Sequence, residues 1–108
     1  MQVAEDAGLD TLWLGESHFR PQRAVLASPL VGASAVAART KRIRIGLAVQ
    51  VLPLANPLRV AEEAAIVDHV SVGITGVSLD VNPGGQIPYD RVVHSIRLLT
   101  DKVIPKFK

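Results

Sequence analysis

The chain has 108 residues, of which 48% are hydrophobic and 20% are charged, a composition typical of one small globular domain. It contains no cysteine, which excludes disulfide bonds and cysteine-based metal sites. A net charge of +2 and an aromatic content of 4% argue against a nucleic-acid-binding surface. No signal-peptide pattern or membrane-spanning run is present, so we expect a cytoplasmic protein without a membrane partner.

The first predicted elements are the end of a helix and a short strand. Gly8 is placed to end the helix as a left-handed cap. The apolar run "DTLWLG", residues 10–15, predicts a strand buried on both faces. Ser28 and Pro29 then give a helix start, and the helix is expected over residues 28–39.

A basic cluster follows that helix, formed by Arg39, Lys41, Arg42 and Arg44. Cations at this position favour the negative end of the helix dipole and keep the connecting turn in solvent. The alternative is a phosphate-binding patch, which charge runs form less often.

The middle of the chain repeats the strand-helix pattern. "IRIGLAVQVLP", residues 43–53, is rich in β-branched residues and predicts a second strand. Asn56 and Pro57 repeat the cap-plus-proline start, so the next helix is expected over residues 57–70. Its predicted apolar face consists of Leu58, Ala61, Ala65 and Val67.

A third strand and a last helix complete the predicted elements. "GVSLDVNPGG", residues 76–85, alternates apolar and polar residues and then turns at Pro83–Gly84–Gly85. The last helix is expected to open near Pro88 and to end at Pro105. One apolar face is predicted for it, formed by Val92, Ile96, Leu99 and Val103.

Alternation of helices and strands predicts a parallel α/β sheet with helices packed against it. Ligands bind at the carboxyl ends of the strands in such sheets. The polar groups expected at these ends are Glu16, Ser17, His18, Gln50, Asp80 and Asn82.

The histidines and the "NPGG" turn allow more than one interpretation. His18 suits proton exchange at a ligand rim, and the alternative is that His18 and Glu16 only satisfy loop backbone. Adjacent Ser17 and His18 do not indicate a hydrolase triad, which is defined by spatial geometry. His69 and His94 are expected on helix surfaces rather than as metal ligands. The "NPGG" segment could approach a phosphate, but a plain turn is favoured.

Residues 4–71 resemble the early part of the bacterial-luciferase-like, flavin-dependent monooxygenases. The resemblance is carried by "AEDAGLDTLWLGESHF", "ARTKRIRIG" and "VLPLANPLRVAEEAAIVDHVS". It implies part of a (β/α)₈ barrel with FMN at the carboxyl rim. It also implies a monooxygenase that uses oxygen and reduced FMN, supplied by a separate reductase, on an organic substrate. A deazaflavin-dependent reductase is the alternative within the same fold.

The resemblance also implies site residues. Ser17 and His18 match a strand-end pair that is often His-His in the family, and we take them as the catalytic candidates. Ala48–Val49 matches a segment that carries a non-prolyl cis peptide beneath the flavin in several members. Glu16 and Gln50 complete the predicted cofactor-binding set, and no metal is expected.

Residues 28–39 and 57–70 match the helices that form the subunit interface of luciferase-like dimers. The resemblance therefore implies a homo-oligomer. The small residues on the first of these helices would permit close approach of a second subunit. They are Gly32, Ala33, Ala37 and Ala38.

Residues 73–108 resemble the last strand and C-terminal helix of the same family, including the ending "VIPKF". The chain is thus expected to be one partial domain that joins early barrel units to the last one near residues 71–73. A closed barrel needs at least roughly 200 residues, so the predicted fold is an incomplete (β/α)₈ barrel with about three parallel strands and flanking helices. The alternative function is a non-catalytic remnant that folds with, or binds, a partner subunit.

Overall fold

The computed structural model describes residues 2–19, 21–22, 26–80 and 88–107. Helices and strands alternate along these residues, as the sequence predicts. They are α1 (Gln2–Asp6), β1 (Thr11–Leu14), α2 (Pro29–Ala37), β2 (Arg44–Val51), α3 (Pro57–Val70), β3 (Ile74–Asp80) and α4 (Tyr89–Leu98). A 3₁₀ turn, Leu52–Leu54, follows β2, and α4 continues as a π turn, Leu99–Val103, and a 3₁₀ turn, Ile104–Phe107.

The three strands form one parallel sheet in the order β1-β2-β3, which confirms the predicted fold class. Trp13 lies opposite Gly46 on β2, and Gly46 lies opposite Gly76 on β3. The pairing of β2 with β3 is irregular between Ile45 and Gly46 and between Ala48 and Gln50. This second irregularity lies at the carboxyl end of β2, where the candidate site begins.

The core lies between the sheet and helices α2 and α3. Alternate residues of a strand point to opposite faces, so Ile45 and Leu47 face the helices while Gly46 and Ala48 face away from them. The buried cluster contains Leu30, Ala33, Val36, Ile43, Ile45, Leu47, Val60 and Val67. Full burial of a valine or leucine side chain contributes about 1.5–3 kcal/mol, so this cluster is the main source of stability.

The other face of the sheet is open among the described residues. Trp13 lies on this face and is 52% exposed, and no residue of β1 is fully buried. The prediction that residues 10–15 form a strand buried on both faces is therefore wrong. Burial on both faces requires a second layer, and the described helices that contribute to the core cover only the face with Ile45 and Leu47.

The helix starts show two different capping arrangements. The Asn56 side chain accepts a hydrogen bond from the Leu58 N–H at 2.9 Å, which confirms it as a cap of α3. Ser28 occupies the cap position of α2, but its side chain makes no capping bond. At the end of α1, Gly8 adopts a φ of +82°, as expected for a left-handed cap.

Two predicted helix faces need correction. On α3, Val67 is buried as predicted, but Leu58 is exposed and Val60 is buried against the core as well. The seven-residue spacing of Val60 and Val67 places both on one face of α3. Contact with α2 and the sheet determines that this face points to the core. On α2, Ala33 is fully buried in the protein's own core, so it is not available to a second subunit.

The last helix differs from its prediction at its end. The regular helix stops at Leu98, yet the chain continues through Pro105 in helical turns. Proline is tolerated in the first turn of a helical segment because that turn does not use its N–H, and Pro105 is the second residue of the final 3₁₀ turn. Of the predicted apolar face, Val103 is buried and Ile96 is 40% exposed. The predicted turn at Pro83–Gly84–Gly85 lies outside the described residues.

The basic cluster belongs to the junction between α2 and β2. Arg39 donates to the Ala35 carbonyl at 3.3 Å, and Arg42 donates to the Glu5 carbonyl at 2.9 Å. One Glu5 carboxylate oxygen accepts the backbone N–H groups of Lys41, Arg42 and Ile43 at 2.9, 2.5 and 3.0 Å. These backbone hydrogen bonds, chiefly that of Arg42, lower the pKa of Glu5 in spite of its partial desolvation.

No helix within the described ranges is long and apolar enough to cross a membrane.

Candidate functional site

The carboxyl ends of the three strands meet at one edge of the sheet. Glu16 follows β1, Gln50 lies near the end of β2, and Asp80 ends β3 opposite Val51. A backbone hydrogen bond from the Glu16 N–H to the Val49 carbonyl, 2.9 Å long, ties the first two ends together. The parallel sheet therefore brings Glu16, Gln50 and Asp80 to one rim, as the sequence predicts.

The Glu16 carboxylate is the buried centre of this rim, with its side chain only 3% exposed. Its Oε2 accepts the Gln50 side-chain amide at 2.6 Å and the Val51 backbone N–H at 2.7 Å. Gln50 is itself 7% exposed. Hydrogen bonds to an ionised acceptor are stronger than neutral ones, so these contacts offset the cost of burying the carboxylate.

His18 shares the other oxygen of the same carboxylate. Its Nε2 lies 2.5 Å from Glu16 Oε1, and its side chain is 29% exposed. An imidazole held against a carboxylate and partly open to solvent can exchange a proton with a bound molecule. The loop that carries it is fixed by a hydrogen bond from the Ser17 N–H to the Leu26 carbonyl at 2.9 Å.

Phe19 follows His18 in an unusual conformation. Its φ is +54°, a left-handed value that is uncommon for a bulky residue, and its side chain is fully exposed. The Phe19 and His18 rings lie with centroids 6.1 Å apart. The loop after β1 therefore presents an imidazole and an aromatic ring together at the rim.

The end of β2 lies next to these groups. The Ala48–Val49 peptide bond is cis, as the resemblance predicts, and Ala48 is exposed on the open face. Gly15 packs against this bond so closely that a Cβ at Gly15 would lie 2.8 Å from the Ala48 carbonyl oxygen. Glycine is thus required at residue 15 for the two strand ends to approach.

The sequence pattern of the luciferase-like monooxygenases matches residues 1–77. The chain belongs to the luciferase-like monooxygenase family.

Named relatives in this family are much longer than this chain. The alkanal monooxygenase α chain of Photorhabdus luminescens is 39% identical over 72 residues, which are 67% of this chain and 20% of the relative. The oxygenase component of the flavin-dependent trigonelline monooxygenase of Acinetobacter baylyi is 28% identical over 92 residues, 85% of this chain and 25% of the relative. The chain thus spans about a fifth to a quarter of the length of these relatives.

A solved structure supports the luciferase-like fold. The oxygenating constituent of 3,6-diketocamphane monooxygenase from Pseudomonas putida, in complex with FMN, superposes with a TM-score of 0.70 at 17% identity. The match covers 89% of this chain and 30% of that enzyme. The assignment of residues 73–108 to the last strand and helix of a barrel stays a prediction.

Most of the predicted site residues lie together at the rim of this luciferase-like chain. Glu16, Ser17, His18, Ala48, Val49 and Gln50 all lie at or beside the rim. His69 and His94 are exposed on α3 and α4, as expected. Among the described ranges no three metal-ligating side chains come together. Asn82 and the "NPGG" segment lie outside the described residues.

Sequence reasoning missed two relationships in this luciferase-like site. It placed Glu16 and Gln50 at the same rim without predicting that they bind each other. A carboxylate and a carboxamide at neighbouring strand ends are the signal that could have indicated the pair. It also missed the position of Trp13 on the open face, which the paired Gly46 and Gly76 could have indicated.

Proposed function

We propose that this chain forms the flavin-facing part of a luciferase-like monooxygenase and binds reduced FMN at the rim. The observation that carries the proposal is the exposed residue Ala48 at the end of β2, close to the Glu16–His18 pair. Reduced FMN, when bound, supplies the electrons for oxygen to oxidise an organic substrate. Family membership supports this reaction class.

The described residues fit the ring of a flavin. Ala48 is exposed on the open face of β2 and carries only a methyl group, while the Trp13 ring covers Gly46 on the same face. A surface with so small a side chain suits a flat aromatic ring. Ala48 and Val49 would contact the ring. Gln50 and Glu16, which are buried next to them, would hold this surface in place.

His18 and Ser17 are the proposed catalytic groups. The partly exposed His18 imidazole would move a proton to or from the substrate, and Ser17 would hydrogen-bond to the bound molecule. Serine at residue 17, where the family often has histidine, leaves His18 as the proton-exchanging group of the pair.

The names of the relatives favour FMN over a deazaflavin coenzyme. One relative is called flavin-dependent, and a structural neighbour was solved with FMN. Both are described as the oxygenase or oxygenating part of their enzyme. We propose by analogy that a separate reductase supplies the reduced FMN.

Anaerobic ultrafiltration of the full chain with reduced FMN, and separately with a reduced deazaflavin, tests the cofactor. We expect the chain to retain reduced FMN and to retain less deazaflavin. Ala48→Asp should abolish retention because it puts a charge on the proposed flavin surface. Ala7→Asp, an exposed change beyond α1, should leave retention unchanged. Retention that is equal in both variants would overturn the proposed site.

We also propose a homo-oligomer through α2 and α3. Val31 and Ile66 are 69% and 60% exposed and line a shallow groove between these helices. Covering them would remove apolar surface from water. The same surface serves the second candidate function, a non-catalytic chain that folds with a partner subunit. The open edges that β1 and β3 show in the described sheet favour that candidate as well.

A further inference from the structure

We infer that Glu16 is a positioning residue that fixes the tautomer of His18 while its carboxylate is held by Gln50 and Val51 of β2. The inference deepens the proposed function and rests on it for its relevance to the reaction. The sequence assigned Glu16 to cofactor binding, whereas its buried carboxylate already lies within hydrogen-bond distance of three protein groups.

The donors around Glu16 determine where the protons lie. Gln50 Nε2 and the Val51 N–H have no acceptor role, so both must donate to Oε2. Two donors on one oxygen stabilise negative charge on the carboxylate, and an ionised carboxylate is an acceptor only. His18 Nε2, 2.5 Å from Oε1, must therefore carry a proton.

This arrangement fixes the role of the other ring nitrogen. In a neutral imidazole one nitrogen is a donor and the other is an acceptor. With the proton on Nε2, the lone pair of neutral His18 lies on Nδ1. In the proposed reaction His18 would then accept a proton at Nδ1.

The same contacts tie His18 to the proposed flavin surface. The side chain of Glu16 accepts hydrogen bonds from Gln50 and Val51, and its backbone N–H donates one to Val49. These residues directly follow Ala48 on β2. The imidazole and the exposed Ala48 are thus held in place by the same hydrogen bonds.

Long-range ¹H–¹⁵N correlation spectra of the full chain test the tautomer without any flavin. The spectra are recorded at a pH where His18 is neutral, and its signals are assigned with His18→Gln. The exposed His69 and His94 serve as internal references. We expect the Nε2–H tautomer for His18. The Nδ1–H tautomer in the unaltered chain would overturn the inference.

Glu16→Gln provides a second readout. Glutamine has one acceptor oxygen, and the backbone N–H of Val51 requires it, so its amide N–H₂ must face His18. We expect the proton of His18 to move to Nδ1, with the tautomer signals exchanged. Glu62→Gln, an exposed change on α3, should leave them unchanged. An unaltered tautomer in folded Glu16→Gln would contradict the inference.

The two proposals fail separately. If the chain does not retain FMN but His18 shows the Nε2–H tautomer, the proposed function fails and the Glu16–His18 arrangement stands. If FMN is retained and the tautomer is Nδ1–H, the cofactor site stands and the positioning role fails. Since the spectra of the unaltered chain decide the tautomer, the test does not depend on whether Glu16→Gln folds.

Discussion

The six-membered ring of Trp13 covers Gly46 so closely that a Cβ atom at Gly46 would lie 2.4 Å from the indole Cε3. The ring extends across β2 toward β3, where a Cβ at Gly76 would lie 3.9 Å from Cη2. The open face of the sheet is thus built around one tryptophan and two glycines of the neighbouring strands. The chain has a single tryptophan, so its fluorescence reports on this face alone.

Gly46→Ala should displace Trp13. The new methyl group overlaps the ring, and overpacking of this kind costs about 1–3 kcal/mol of unfolding free energy. We expect a lower urea midpoint and a changed tryptophan emission maximum. Gly76→Ala is the matched control, because its methyl group meets the ring at an ordinary contact distance. Equal effects of the two variants would show that Trp13 does not lie on Gly46.

The helix caps give a second matched pair. Asn56→Ala removes the bond to the Leu58 N–H and should lower the unfolding free energy by about 1 kcal/mol. Ser28→Ala removes a hydroxyl group that makes no capping bond, so this substitution should lower the unfolding free energy of the chain by less. Urea unfolding followed by circular dichroism measures both. A larger loss in Ser28→Ala than in Asn56→Ala would contradict the capping assignment.

Glu5 should make stability depend on pH in the acid range. Its pKa in the folded chain is below the ordinary value of 4.5, because the backbone N–H of Arg42, with those of Ile43 and Lys41, donates to its carboxylate. The stabilisation is therefore present above the unfolded pKa and is lost as the pH falls through the folded pKa. Glu5→Gln lacks it at every pH.

The measurement for Glu5 is the urea midpoint of the unaltered chain and of Glu5→Gln from neutral to acid pH. The difference between them should be largest near neutrality and should shrink as the pH falls. Asp6→Asn, an exposed change on the same helix, is the control. If the difference in urea midpoint instead grew as the pH fell, the pKa of Glu5 would not be lowered in the folded chain.

Val31→Glu should weaken the proposed homo-oligomer without unfolding the chain. Val31 is exposed on α2, so the change places a charge on the proposed interface and leaves the core intact. Light scattering after size-exclusion chromatography should show the mass of one chain for the variant and of two or more for the unaltered protein. Val3→Glu, an exposed change on α1, should not alter the mass. A monomeric unaltered chain would reject this interface.

The order of elements was predictable because each helix start and strand has a local signal. Asn56 with Pro57, and the β-branched run in β2, depend little on the rest of the fold. The exposure of Trp13 was not predictable from its own strand, because it depends on what covers the sheet. Which face of α3 points to the core likewise depends on contact with α2, and this contact places Val60 inward and Leu58 outward.

The candidate site was predictable in position but not in contacts. Parallel strands bring Glu16 and Gln50 to one rim whatever their side chains do. The hydrogen bond between these two side chains depends on the register in which β1 pairs with β2. The proton arrangement at His18 follows only once that bond is known.

Urea unfolding of the full chain with and without reduced FMN, under anaerobic conditions, tests the central claim most directly. A ligand at a hundred times its Kd stabilises the folded state by about 2.7 kcal/mol. With a typical urea dependence of about 1–3 kcal/mol per molar, the midpoint should rise by roughly 1–3 M. A cooperative transition whose midpoint is the same with and without reduced FMN would contradict the claim that this rim binds the flavin.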